Sequence, residues 1–370
     1  MKKRLLFLFL LFSTFSSWCQ EPYSHDTLTL IFMGDIMGHD TQIESAYDSL
    51  SGTYNYEPVF ARIAPVLKKA DFAIANLECT LAGKPYKGYP RFSSPDELAA
   101  ACLKNGINVL MTANNHSCDR GKTGITRTVN VLDLLDIRHT GTFRDSIDRD
   151  SSNLLILVKG SIRVGILNYT YGTNGLPIPP PTVVNLIDTV QIRKDIISSK
   201  TQNPDKLIVM LHWGQEYQSY PDSFQKKLAE FLFDLGVDVI IGSHPHVIQP
   251  MKYWPAEGKV QERLIVYSLG NFVSNQRKRK TDGGAMIEIT FTKNGGQTTL
   301  QNYGYHLTWV HKFRENGKWK FEILPCRQIE QNGYKGLDKY SLNKMKLFLG
   351  DSHDLLQKEN MNIMEISYCP

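Results

Sequence analysis

The sequence predicts an α/β protein built from alternating strands and helices, and three observations carry that reading. Short aliphatic or β-branched runs recur at 28–33, 72–76, 108–112, 163–168, 206–211, 237–241 and 263–268, each bounded by turn residues, as expected for strands covered on both faces. Helical periodicity occupies the gaps between several of them. Short polar motifs sit at the ends of these runs: Gly34-Asp35, Asn76-Leu77-Glu78, Asn114-Asn115-His116, His212-Trp213-Gly214 and Gly242-Ser243-His244-Pro245-His246. Strands ending this way would deliver Asp, Glu, Asn and His side chains to one edge of a sheet, and those residue types bind divalent metals.

The helices follow from pattern and punctuation. Residues 58–70 place Val59, Phe60, Ile63, Val66 and Leu67 on one stripe. Ser94-Pro95-Asp96-Glu97 reads as a capping box opening a helix that ends before Gly106. Residues 123–135 and 224–235 repeat the periodicity, the latter stopped by Gly236. From about Gly284 the texture becomes antiparallel. Strands are expected at 285–292, 303–313 and 318–324, with turns at Asn294-Gly295-Gly296 and Glu315-Asn316-Gly317-Lys318. A short helix over 341–349, stopped by Gly350, precedes the tail. The proline-rich loop 177–181 is expected to form a rim of a cleft.

The chain has 370 residues, 42% hydrophobic and 21% charged, which is ordinary globular composition. Its first 19 residues read as a signal peptide: Met1-Lys2-Lys3-Arg4, an apolar run over 5–12 too short to span a bilayer, then small residues flanking a cleavage before Gln20. Lipidation at Cys19 and an uncleaved anchor are the alternatives. The expected location is therefore outside the cytoplasm, periplasmic or extracellular, free or anchored through the N-terminus. Without Lys2, Lys3 and Arg4 the 42 basic residues fall to 39 against 37 acidic, so the formal charge drops from +5 to +2. A nearly neutral chain gives no support for nucleic-acid binding. Cys79, Cys102, Cys118, Cys326 and Cys369 form no CxxC pair, which argues against a zinc knuckle; mostly buried thiols are expected.

Each motif has a bland reading beside the chemical one. Asp35 could be a turn residue, Glu78 a helix-start acid, Asn114-Asn115 an Asn-rich turn and His212 a satisfied core histidine. Their shared placement favours a site. Period two turns Asn76 and Glu78 to one side, and His244 and His246 to one side if their backbone is extended. The basic run Gln276-Arg277-Lys278-Arg279-Lys280 reads first as a solvated loop.

The order of Gly34-Asp35-Ile36-Met37, Asn76-Leu77-Glu78, Asn114-Asn115-His116 with Asp119 and Gly121, His212-Trp213-Gly214 with Glu216, Gly242-Ser243-His244-Pro245-His246-Val247 and Tyr267-Ser268-Leu269-Gly270-Asn271-Phe272-Val273 resembles the CapA family of capsule or poly-γ-glutamate biosynthesis proteins, within the metallophosphatase-like superfamily. The resemblance implies a four-layer α-β-β-α sandwich of the metallo-dependent phosphatase-like type. It implies a CapA-like domain over 26–292, with 293–370 completing or flanking it. It implies Asp35, Glu78, Asn115, His212, His244 and His246 as ligands of one or two divalent ions (Mn, Fe or Zn), and His116 as catalytic acid. Asn76, Asn114, Asp119, Glu216 and Asn271 are assigned to substrate contact or to support of the ligands. Met37 stands where the superfamily has a ligand histidine. The implied function is a metal-dependent hydrolase or transferase in capsule or poly-γ-glutamate synthesis and export. Its implied partners are an anionic extracellular polymer such as poly-γ-glutamate and subunits of a membrane synthase. The alternative is a non-catalytic polymer-binding or assembly factor.

Overall fold

The computed structural model describes residues 26–258 and 261–366. The signal segment at 1–19 and Cys369 lie outside the described residues. Two sheets face each other. The first is eight-stranded. From Asp26–Ile36 it runs in parallel through Phe72–Leu77, Val109–Met111 and Arg138–Thr140 on one side; on the other, antiparallel, come Gly283–Asn294, Gln297–Glu315 and Lys318–Pro325. The short strand Asn271–Val273 also pairs in parallel with Asp26–Ile36. The second sheet has six strands: Met251–Trp254, Arg263–Val266, Val239–Ser243, Lys206–His212, Ile162–Thr170 and Leu155–Lys159, with its four central strands parallel.

The layers follow from which faces are apolar. Alternate residues of the first sheet (Leu28, Leu30, Phe32) meet Ile166, Ile208 and Val239 of the second in one buried cluster. The intervening residues (Ile31, Met33, Ala73) pack outward with Phe60, Leu98 and Leu132 of the helical layer. On the far side Val209 and Ile240 pack with Ile192, Ile196, Leu228 and Leu232 of helices Thr189–Ser199 and Ser223–Asp234. The result is an α-β-β-α sandwich. The C-terminal strands belong to the first sheet rather than to a separate body, and Cys79, Cys102, Cys118 and Cys326 are free, buried thiols.

Three local expectations are corrected. The helix expected over 58–70 is two short pieces, Glu57–Phe60 and Ala64–Leu67, because Pro65 supplies no N–H to continue the first. The helix Glu97–Lys104 has no side-chain cap, and the Asp96 carboxylate is instead gripped by Arg127 at 2.6 and 2.7 Å. The last helix does not stop at Gly350 but runs over Lys339–Glu359. A glycine in mid-helix costs about 1 kcal/mol, whereas burying Phe348, Leu349 and Leu356 returns about 2 kcal/mol each, so the stripe wins. A cap went unread at Asp222, which forms a full capping box with Gln225.

Two glycines of the polar motifs are steric requirements. A Cβ on Gly34 would lie 1.8 Å from the Gly270 carbonyl oxygen, and one on Gly242 would lie 2.0 Å from the Tyr267 oxygen. These contacts set backbone against backbone where the site is built. Gly34→Ala or Gly242→Ala should each destabilise the protein by about 3 kcal/mol. Thermal unfolding of the purified variants measures it; native-like melting of both would refute the packing argument.

Candidate metal centre

The parallel strands of both sheets end at the same edge, and there the motifs meet. In the first sheet the ladder shifts register between Met33 and Asp35, pairing Asp35 with Asn76 on one side and with Asn271 on the other. Such a bulge re-aims a side chain. Asp35, Asn76, Glu78, Asn115, His116, His212, His244, His246 and Asn271 are all buried to within a few per cent.

Asp35 and Glu78 come from adjacent strand ends, and the imidazoles come from the second sheet. Asp35 Oδ1 accepts a hydrogen bond from Asn76 Nδ2 at 2.7 Å, and Oδ2 accepts one from the His244 backbone N–H at 3.3 Å. His246 Nδ1 lies 3.3 Å from Asp35 Oδ2 and 3.9 Å from Glu78 Oε2. His212 Nε2 lies 3.6 Å from Glu78 Oε1 and 3.0 Å from Asn115 Oδ1. Its Nδ1 is 3.1 Å from the Ser243 hydroxyl and 3.2 Å from Asn76 Nδ2. Holding one ring nitrogen this way leaves the other for a cation.

Two groups of donor atoms result, Asp35/Glu78/His246 and Glu78/His212/His244, each with all atoms within 4.8 Å of one another. They share Glu78, and Asn115 Oδ1 adjoins the second. The fit to divalent ions rests on what is missing around them. Neither oxygen of Glu78 receives a hydrogen bond, and His244 Nδ1 has no partner. Burial raises the Glu78 carboxyl well above its ordinary range, and the neighbouring Asp35 charge adds to the effect. Burial also lowers His212 well below the usual imidazole value and brings His244 down to about 3, with neighbouring imidazoles contributing. Neutral imidazoles around an unsolvated carboxylate suit one cation or two.

The five residues expected to contact substrate or support the ligands take distinct places. Asp119 accepts from His116 Nδ1 at 2.8 Å and from the Phe92 N–H at 2.6 Å, while the His116 ring stands edge-on to Phe92 at 4.6 Å. That leaves His116 Nε2 as the free ring nitrogen. Asn114 clamps the turn, donating to the Leu77 carbonyl at 2.8 Å and accepting from the His116 N–H at 3.0 Å. Asn76 braces Asp35. Asn271 Oδ1 lies 3.0 Å from His246 Nδ1. Glu216 is exposed and lies outside both donor groups.

The extended backbone expected at the two late histidines is absent. His244 and His246 lie beyond the strand end, with φ of 97° and 58°, so a left-handed turn and not extended pleat aims them. Each serves a different donor group. Met37 is buried among outer-core apolar residues. The loop 177–181 is anchored by Leu176 and Ile178, which pack on Cys118, Ile125 and Val184.

Several neighbours of the site went unread. Tyr171 lies with its ring 4.6 Å from His244 and engages Asn115. It follows a strand end, as the motifs do, so its placement was a usable signal. Ser243 lay inside a quoted motif without a role of its own, and Phe92 and Tyr217, whose ring is 6.0 Å from His246, carried no signal.

The sandwich and its shared-carboxylate centre define the class as metallophosphatase-like. The model of the bacterial capsule synthesis protein family, PGA_cap, matches residues 29–276, and the chain belongs to that family. Capsule biosynthesis protein CapA of Bacillus anthracis is 29% identical over 76% of this chain and 70% of its own length. PGA biosynthesis protein CapA of Bacillus subtilis is 27% identical over 74% and 70%. Among solved structures, a novel phosphatase from Mycoplasma pneumoniae overlaps at 15% identity and TM-score 0.46 (76% of this chain, 93% of that one). The calcineurin-like phosphoesterase YfkN of Bacillus subtilis overlaps at 13% and 0.44 (90% and 100%). Those overlaps are distant, and the fold assignment rests on the layers themselves.

Metal analysis of the purified chain loaded with manganese should separate the donor groups. Glu78→Ala should lose all bound metal, while His246→Ala and His244→Ala should each lose part of it. Unchanged content in His244→Ala would remove it as a ligand. Added metal should also stabilise the chain, by roughly 2.7 kcal/mol at a free-ion concentration about a hundredfold above Kd, read as a chelator-reversible rise in Tm.

Proposed function

We propose that this chain is an exported metal-dependent hydrolase of phosphoesterase type, acting in capsule or poly-γ-glutamate synthesis. The observation that carries the reading is the bare Glu78 carboxylate shared by two donor groups, with the His116–Asp119 pair close by. Asp35, Glu78 and His246 would hold one divalent ion; Glu78, Asn115, His212 and His244 would hold another. Ions there would supply Lewis acidity toward a phosphoryl or carbonyl oxygen and make bound water acidic.

The chain's own residues do the rest. Asn76 and the His244 N–H fix the Asp35 carboxylate, and Ser243 fixes His212. Asp119 and Phe92 fix the His116 ring, so its Nε2 can donate a proton to a leaving oxygen. Export is supported by the basic, apolar and small-residue order of the first 19 residues. Among the described residues no helix is long and apolar enough to cross a membrane.

The test is turnover of bis(p-nitrophenyl) phosphate with manganese. Wild type should hydrolyse it, and His116→Ala should lower kcat by about 10²–10⁴ at unchanged metal content. A metal-loaded wild type with no turnover on any phosphoester, alongside measurable poly-γ-glutamate binding, would hand the case to the non-catalytic assembly reading.

A further inference from the structure

The basic run 276–280 is a solvated loop only in part: Lys278 and Arg279 are exposed, whereas Gln276, Arg277 and Lys280 are half-buried. Asn271, whose Oδ1 faces His246, donates through Nδ2 to the Thr281 carbonyl at 2.9 Å and to Gln276 Oε1 at 3.2 Å, so the loop closes back onto the metal centre. Its cations then diverge. Lys278 Nζ lies 4.1 Å over the Tyr217 ring, itself next to His246. Arg279 pairs with Asp351 at 2.7 Å. Arg277 turns the other way, donating to the Val310 carbonyl at 2.8 Å and lying 5.7 Å over Phe321.

Beside Arg277 lies a cavity of about 190 Å³, lined among others by Lys312, Lys344, Trp319 and Tyr340. That volume corresponds to roughly six waters, the room for one residue-sized unit. Its cations are Arg277, Lys312 and Lys344, and its one lining carboxylate, Asp282, already accepts from Trp309 Nε1 at 3.0 Å. Arg277 Nε is buried without an acceptor. Burial brings Arg277 down to about 10, and burial together with the Arg277 charge lowers Lys312, as expected where positive charge is crowded and under-compensated.

We propose that this cavity is an accessory subsite for one carboxylate-bearing unit of an anionic chain, whose neighbouring units pass over Lys278 to the metal cleft. The chemistry favours carboxylate over phosphate. The Arg277 terminal nitrogens are tied to the Val310 and Ser274 carbonyls, so no free guanidinium fork faces a phosphate. Two lysines remain as point donors, Lys312 with one N–H already given to Asn275 Oδ1 at 2.9 Å. The rings of Trp319 and Tyr340, over which Lys312 and Lys344 lie at 4.4 and 5.8 Å, offer apolar walls to the methylenes between carboxylates. Arg277 and Lys278 are consecutive but their side chains leave the loop in different directions, so a chain occupying the cavity must cross the loop beside Lys278 to enter the cleft. The passage into the cleft rests on the function proposed above; filling of the cavity does not.

The experiment is calorimetric titration of the manganese-loaded chain with a γ-linked glutamate decamer, with a polyphosphate of equal length and with free glutamate as comparison probes. Lys344→Glu and Lys312→Gln should each weaken decamer binding by about tenfold or more at unchanged metal content and circular dichroism. Wild-type affinity in both folded variants would overturn the subsite, as would tighter polyphosphate binding lost by the same factor. Equal losses for free glutamate would reduce it to a single-ion site and overturn the chain. His244→Ala separates the two readings: a failure of the metal centre leaves the lysine variants' decamer defect in place, whereas a failure of the subsite leaves metal content as predicted.

Discussion

The structure is organised around a buried carboxylate that nothing in the protein satisfies. Glu78 sits at the meeting point of two sheets, receives no hydrogen bond, and has Asp35 and the His212, His244 and His246 imidazoles among its polar surroundings. Burying an unpaired charge costs several kcal/mol, so a fold that holds one at its centre must gain elsewhere or be completed by a cation. The neighbouring groups are arranged for the second outcome. Asn76 and the His244 N–H hold the two Asp35 oxygens and Ser243 holds His212 Nδ1, while His212 Nε2 and His246 Nδ1 face Glu78.

That arrangement depends on the sandwich having both parallel strand sets end at one edge. Carboxylates and amides come from the first sheet, the His212, His244 and His246 imidazoles from the second, and the short strand Asn271–Val273 ties them by pairing with Asp26–Ile36 while its asparagine faces His246. Residues far apart in the chain are neighbours because each closes a separate strand.

How much of this was legible follows from what each signal reports. Apolar runs with polar stops report strand ends, and the polar ends of Phe72–Leu77 and Lys206–His212 lie where that signal put them. Periodicity reports a buried face but not continuity, which is why Pro65 split one helix and why Gly350 failed to stop another. The coupling of Asp96 to Arg127 is a tertiary contact that overrode a local capping pattern. His244 and His246 reach the donor groups on a left-handed turn and not on the expected pleat: spacing alone does not distinguish the two. The partners of the basic loop, Tyr217 and the cavity beside Arg277, are tertiary contacts, and no local pattern encodes them.

The approach of Gly34 to Gly270 has an evolutionary corollary. Where two donor-bearing segments touch through bare main chain, the gap between Asp35 and the His246 side is a rigid length, and no exchange of side chains at the contact can widen it. A descendant of this scaffold could trade rims, loops and surface charge freely, yet the spacing at its heart would be inherited whole.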